Sequence, residues 1–197
     1  MKISREQGLT LLDVLITVSL MGILSAIAVP SYQSMHIKNR FASEVNALVG
    51  DLHFTRSESI KRGVDVVICA TQNPAADRPV CSENGRWHEG WVVFVAPDPL
   101  PNPVRPDSRN DVLRIQDGFG NQDEMTDNVA RAIISFDRNG FTGNARTIQL
   151  CDGGNGNSDA RNRSAKGIVL STVGRVRLAT DSNGDGIVEN GSGNISC

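Results

Sequence analysis

The sequence predicts an α+β chain, with one long N-terminal helix followed by a β-rich domain. Three observations predict it. Apolar residues concentrate in one run, Leu9 to Val29, which is 21 residues long and carries a single charge, Asp13. Apolar residues then recur at helical spacing as far as Leu52. Beyond Gly63 the texture changes to short β-type runs, with many of the 19 glycines set among Asn, Asp and Ser. The 197 residues suit one domain with an appendage. At 39% hydrophobic with recurring apolar runs, wholesale disorder is excluded. Aromatics at 5% limit the large side chains available to a core. A net charge of -2 carries no global signature of polyanion binding.

The N-terminal run is long enough to cross the roughly 30 Å hydrocarbon core as a helix. Lys2 and Arg5 stand before it against Glu6, which orients the N-terminus to the cytoplasm. A cleaved secretory signal, with its small-residue site at Ala26-Ile27-Ala28, and a plain single-span anchor both fit this much. Neither accounts for Asp13. An acid costs about 2.5–3.5 kcal/mol at a bilayer centre, and less near an end, where Asp13 stands. It still calls for a partner.

Gly8-Leu9-Thr10-Leu11-Leu12-Asp13-Val14-Leu15, continued through the apolar run to Pro30 and Tyr32, resembles the prepilin processing site of type IV pilins and type II secretion pseudopilins. Leu9 stands where the family usually has Phe, and Asp13 where it has Glu; both keep the chemical class. The resemblance implies that a prepilin peptidase cuts between Gly8 and Leu9 and methylates the new amine. It also implies that the subunit waits in the inner membrane, head in the periplasm, before entering a helical filament. There Asp13 meets the N-terminal amine of a neighbour.

Phe41, Val45, Leu48 and Leu52 follow spacings of four, three and four, one stripe of an α-helix. Arg40, Ser43, Glu44, Asn46 and Asp51 stand between them on the expected polar side. Lys61 and Arg62 before Gly63 mark a C-terminal stop. The helix therefore extends from Leu9 to Arg62, is kinked by Pro30, and lays its second half on the chain's own sheet.

Strands are expected at Val64–Ala70, Trp91–Ala96, Val112–Gln116, Ala132–Phe136, Arg146–Cys151, Lys166–Ser171 and Arg175–Thr180. Residues 97–106 hold five of the eight prolines and read as an extended surface loop. The Gly/Asn-rich stretch from Asp152 to Ser164 reads as a mobile loop. The four cysteines allow three pairings. Cys69–Cys81, closing a short loop, and Cys151–Cys197, pinning the tail, are preferred. Zinc is the rival, disfavoured because there is no CxxC and none of His36, His53 and His88 sits at ligand spacing from a cysteine.

Ser57-Glu58-Ser59, then Gly90-Trp91-Val92-Val93-Phe94, then Phe136-Asp-Arg-Asn-Gly140 resemble, in that order, the minor pilins and pseudopilins called GspH, FimT and FimU. The resemblance implies a pilin-like α+β fold, with the long helix packed on a head of two antiparallel sheets. The domains are then a leader (residues 1–8), a transmembrane and filament helix (9–30), an amphipathic second half (31–63) and a periplasmic head (64–197). The implied partners are the major pilin, other minor pilins, the prepilin peptidase and the inner membrane.

Charge is unevenly distributed. Residues 131–180 hold eight Lys/Arg against three Asp, and residues 96–130 hold three Arg against seven acids. Within the basic half, Gly174-Arg175-Val176-Arg177-Leu178 places two arginines on one face of a strand, starting about 6.6 Å apart. Val176 and Leu178 then face the core. Arg161, Arg163 and Lys166 in the preceding segment are candidates to join them in holding phosphates, with affinity that falls steeply with salt. The GRxR element resembles the one associated with double-stranded DNA binding in FimT-type competence pilins. A solvated face, or acids on a neighbouring pilin, is the plainer reading of the same arginines.

Asp181, Asn183 and Asp185, followed by Gly186, match the first half of a calcium loop, with Glu189 at position nine. Position twelve is Ser192, where a bidentate Glu belongs; an Asp/Asn/Gly turn is the alternative. No other cofactor is indicated. No nucleophile elbow, phosphate loop or metal-hydrolase helix is present, so no enzyme is indicated. The expected role is structural, initiating or capping a type IV pilus at its tip, with DNA capture for natural transformation as the sharper variant. A pseudopilin of type II secretion, without DNA binding, is the alternative.

Overall fold

The computed structural model describes residues 10–102, 104–120, 123–129, 132–153, 158–190 and 193–197. The chain falls into two compact units, Met1–Arg40 and Phe41–Cys197.

Helix α1 (Leu11–Arg62) spans the boundary between them. Its start is capped by Thr10. The Asp13 carboxylate accepts hydrogen bonds from the Thr10 amide at 3.0 Å and the Thr10 hydroxyl at 2.8 Å, and the Asp13 amide donates back to Thr10 Oγ1 at 3.3 Å. This reciprocal box satisfies amides that a helix start otherwise leaves open. In the first unit every large apolar side chain from Leu11 to Leu24 is more than half exposed. Among the described residues no helix is long and apolar enough to cross a membrane. The apolar run read from the sequence is longer than its described part, since Leu9 and the side chains at 27 and 29 lie outside the described residues.

In the second unit the helix buries the expected stripe of Phe41, Val45, Leu48 and Leu52. The stripe then continues in polar residues, because Thr55 and Ser59 are fully buried at the next three- and four-residue steps. Their hydroxyls turn back to helix carbonyls, Thr55 to Asp51 at 2.6 Å and Ser59 to Arg56 at 2.8 Å, which permits the burial. Glu44 and Asp51, expected on the polar side, are also buried. The helix ends as expected: the Gly63 amide bonds the Ser59 carbonyl, with φ of 68°.

Two four-stranded antiparallel sheets follow. The strands are β1 (Val66–Ala70), β2 (Gly90–Val95), β3 (Val112–Asp117), β4 (Glu124–Asp127), β5 (Ile133–Phe136), β6 (Arg146–Cys151), β7 (Lys166–Leu170) and β8 (Val176–Leu178). The first sheet has the order β3-β2-β1-β5 and the second β4-β6-β7-β8. All seven expected strands are present, within two residues at each end. Two elements were not anticipated. Strand β4 has a single buried apolar residue, Met125, so no alternation announces it. Helix α2 (Ser158–Ser164) lies in the segment read as a loop, and is a short polar helix without an apolar stripe.

The first sheet is buried on both faces. On one, the Trp91 indole donates to Asp51 of α1 at 2.8 Å, and Arg114 of β3 pairs with the other oxygen of Asp51 at 2.5 Å. The Arg114 guanidinium lies 4.0 Å over the Phe54 ring. On the other face, Val67, Cys69, Val92 and Phe94 form a core cluster with Cys81. The proline-rich loop covers that cluster: Val104 packs on it and takes the Cys81 amide at 2.9 Å. Both preferred disulfides are formed, Cys69–Cys81 and Cys151–Cys197. The second holds the tail, with Ile195 buried where a side chain at Gly167 would collide with it.

Asp51 is the polar link between helix and sheet. Replacing it with Ala leaves the buried Trp91 N–H without an acceptor, a loss of about 1–3 kcal/mol. At roughly 2–4 °C per kcal/mol for a chain of this size, Asp51→Ala should lower the melting temperature by several degrees. Circular dichroism melts check this, and an unchanged melting point would remove Asp51 from the seam.

Candidate functional site

The GRxR element sits at the tip of the β7–β8 hairpin. Ser171 to Gly174 form its turn: the Gly174 amide donates to the Ser171 carbonyl at 2.9 Å, and the Ser171 amide to the Arg175 carbonyl at 3.0 Å. The Ser171 hydroxyl oxygen accepts the Arg175 amide at 3.1 Å. Arg175 thus closes the turn and β8 begins at Val176. Both arginines are exposed, and Arg177 pairs with Val169 across the ladder. Leu178 corrects the expectation that it faces the core. It is 49% exposed, because β8 is the sheet edge and covers only what lies beneath β7.

Gly174 is required by the backbone. Its φ is 74°, and a Cβ there would collide with the carbonyl oxygen of Gly140 and stand 3.1 Å from Arg56 Nε. Gly140 closes the second turn at this place. The Asp137 carboxylate accepts the Asn139 amide at 2.8 Å and the Phe141 amide at 2.9 Å, and the Gly140 amide bonds the Asp137 carbonyl. These bonds, that from Phe141 foremost, hold the Asp137 carboxyl below the ordinary carboxylate range. The two turns are tied together, Thr142 donating to the carbonyls of Thr172 and Ser171. The Phe136–Gly140 motif is thus a self-bonded turn wedged on α1.

The other basic candidates are not gathered there. Lys166 begins β7, at the opposite end of the strand from the turn. Arg161 and Arg163 lie on α2. Arg161 donates to the Asp152 carbonyl at 2.7 Å and stands 3.8 Å from Glu124, while Arg163 donates to the Asp185 carbonyl at 3.2 Å. The five cations read as one set therefore divide, with only Arg175 and Arg177 at the hairpin tip. The basic half also neutralises the acidic middle. Arg146 on β6 pairs with Asp127 on β4 at 2.9 Å, both side chains buried. Burial pushes the Asp127 carboxyl up, against the pull of Arg146.

The Asp181–Gly186 loop satisfies itself. Asp181 accepts the amides of Gly184 and Gly186, and Asn183 accepts that of Asp185. Asp185 is held below the ordinary carboxylate range, chiefly by the Asn194 amide group. Glu189 turns to Ser182, accepting from its amide and hydroxyl. Ser192 lies outside the described residues. Among the described residues no three His, Cys, Asp or Glu side chains are grouped to hold a metal ion. The Asp/Asn/Gly turn is the observed arrangement of these residues.

At the other end of the chain, Gly8 and Leu9 lie outside the described residues. Asp13 is placed in the first turn of α1, with Thr10 as its partner. The Thr10-x-x-Asp13 spacing is a capping signal legible in the sequence but overlooked beside the processing motif.

The family model described as type II transport protein GspH matches residues 44–174. Among solved structures, the chain is similar to the type IV minor pilin FimU of Pseudomonas aeruginosa strain PAO1. One crystal form is 22% identical, covers 72% of this chain and 90% of that one, and has a TM-score of 0.54. A second is 21% identical over 71% of this chain and 92% of that one, with a TM-score of 0.52. The likeness extends to the helix packed on two antiparallel sheets.

The glycine contact generates a prediction. Gly174→Ala places a Cβ at positive φ against the Gly140 carbonyl, and strained positions of this kind cost about 1–3 kcal/mol. The melting temperature should fall while both disulfides remain intact. A melt unchanged by the substitution would show that the two turns do not pack as described.

Proposed function

The chain belongs to the GspH family, and from that premise we propose that it is a minor pilin, a subunit that initiates or caps a type IV pilus. One observation carries the reading. The large apolar side chains from Leu11 to Leu24 are exposed on every side of a capped helix. Such a surface needs lipid or other apolar helices around it. In this reading the membrane holds the run from Leu9 to Val29 before assembly, and neighbouring subunits cover it afterwards. Prepilin peptidase cuts between Gly8 and Leu9 and methylates Leu9, leaving the Thr10–Asp13 pair at positions two and five of the mature chain. Asp13 then exchanges its local bonds for the amine of a neighbour, a charge-assisted contact in a dry interface.

The head supplies the second half of the proposal. Arg175 and Arg177 are exposed at the hairpin tip, with no acid partner among the described residues. We assign them to contacts with the phosphates of double-stranded DNA, in service of DNA uptake. The family's own description, type II transport protein, favours a second reading, a pseudopilin of a type II secretion system without DNA binding.

Two measurements test these statements. Mass spectrometry of the chain from membranes should find a mature N-terminus at Leu9 carrying one methyl group; a start after Ala28 would end the pilin reading. In gel retardation, Arg175→Gln with Arg177→Gln should abolish binding of a linear duplex at 50 mM salt. Retardation unchanged by the double substitution would leave the secretion reading in place of the DNA one.

A further inference from the structure

Five arginines of the second unit are neutralised by carboxylates. Arg62 pairs with Glu58, Arg86 with Glu89, Arg114 with Asp51, Arg146 with Asp127 and Arg161 with Glu124. Arg56, on α1, is different. Among the described residues its side chain has no ion pair and no hydrogen bond, and its Nε is buried without a partner. The fold nonetheless fixes its position closely. A Cβ on Gly140 would stand 3.0 Å from Arg56 Nε, and one on Gly174 would stand 3.1 Å from the same atom. Two glycines far apart in sequence, both at positive φ, thus lie against one guanidinium.

The residue after Gly174 is Arg175, exposed and unpaired, with Arg177 two further on. The helix cation Arg56 therefore stands beside the turn that carries Arg175, and none of the three arginines has an ion pair among the described residues. A cation left without a counterion keeps its field for an anion from outside. Other nearby cations do not share the arrangement. Arg138 lines a separate cleft of about 540 Å³ with Asp65 and Asp98, and Lys166 stands at the far end of β7.

We propose that Arg56 is a third phosphate-binding residue, acting with Arg175 and Arg177 on the backbone of double-stranded DNA. The proposal rests on the reading of those two arginines as DNA contacts. It names a residue from the helix, more than a hundred positions away in sequence, as part of the hairpin-tip site. Gly140 and Gly174 are then the packing that sets the distance between the helix cation and the hairpin cations.

The test uses the full chain in a neutral detergent and a fluorescent 30-base-pair duplex, with anisotropy titrations between 50 and 200 mM salt. Each phosphate contact contributes about 0.9 to the slope of log affinity against log salt. Arg56→Gln should weaken binding at every salt and reduce the slope by about 0.9, as should Arg175→Gln. Arg56→Lys should keep the slope, and Lys166→Gln and Arg138→Gln should change nothing. A readout independent of substitution is phenylglyoxal labelling of the unaltered chain, in which the duplex should protect Arg56 together with Arg175. If Arg175→Gln lowers the slope while Arg56→Gln does not, or if the duplex protects Arg175 and leaves Arg56 labelled, the inference fails and the DNA reading stands. If the unaltered chain shows no anisotropy change at 50 mM salt, the DNA reading itself fails and takes the inference with it.

Discussion

The head depends on a helix that must bury one face for longer than its apolar residues last. Phe41, Val45, Leu48 and Leu52 cover the first turns, but α1 continues to Arg62. At Asp51, and everywhere past Leu52, the buried side is polar, and an unsatisfied polar group there would cost more than the burial returns. Each is therefore given a partner: Thr55 and Ser59 bond back to the helix, and Asp51 accepts from Trp91 and Arg114. The Asp51 contacts are directional, so they fix the azimuth of the helix on the first sheet, which apolar contact alone leaves loose. With the azimuth set, Arg56 and Ile60 face Gly140 and Gly174, whose lack of a Cβ lets two turns close on the helix. The position of the hairpin tip is thus a consequence of the seam several turns earlier.

The apolar part of this arrangement was legible in the sequence, and the polar part was not. The stripe through Leu52, the stop at Gly63 and seven of the eight strands follow from periodicity and punctuation. Of the three pairings the cysteines allow, the two preferred for the loops they close are those formed. The continuation through Thr55 and Ser59 has the same spacing, but hydroxyl residues at those steps read as surface unless their local bonds are known. Strand β4 escaped because one buried methionine makes no pattern. Leu178 was misplaced because alternation says which face a side chain takes, and only the order of strands says whether anything lies on that face. The candidate basic site suffered from the same gap. Arg161, Arg163 and Lys166 precede Arg175 by few residues, yet a strand of five residues carries Lys166 about 13 Å from the turn.

Charge shows how far topology can overrule sequence position. Linear counting divides the head into an acidic middle and a basic C-terminal half. Strand β4 belongs to the first and β6 to the second, and the sheet sets them side by side. Arg146 meets Asp127 in a buried pair across that junction, and Arg161 reaches Glu124. A basic half is therefore no measure of a basic surface, because part of its charge is spent within the sheet. What remains after pairing is a better guide to a charged ligand, since a cation held in place without a counterion keeps its field for something outside. Arg175 and Arg177 remain by this criterion, and so does Arg56, which linear counting assigns to neither half. The site is then defined less by the GRxR letters than by two glycine turns that hold a helix cation next to them.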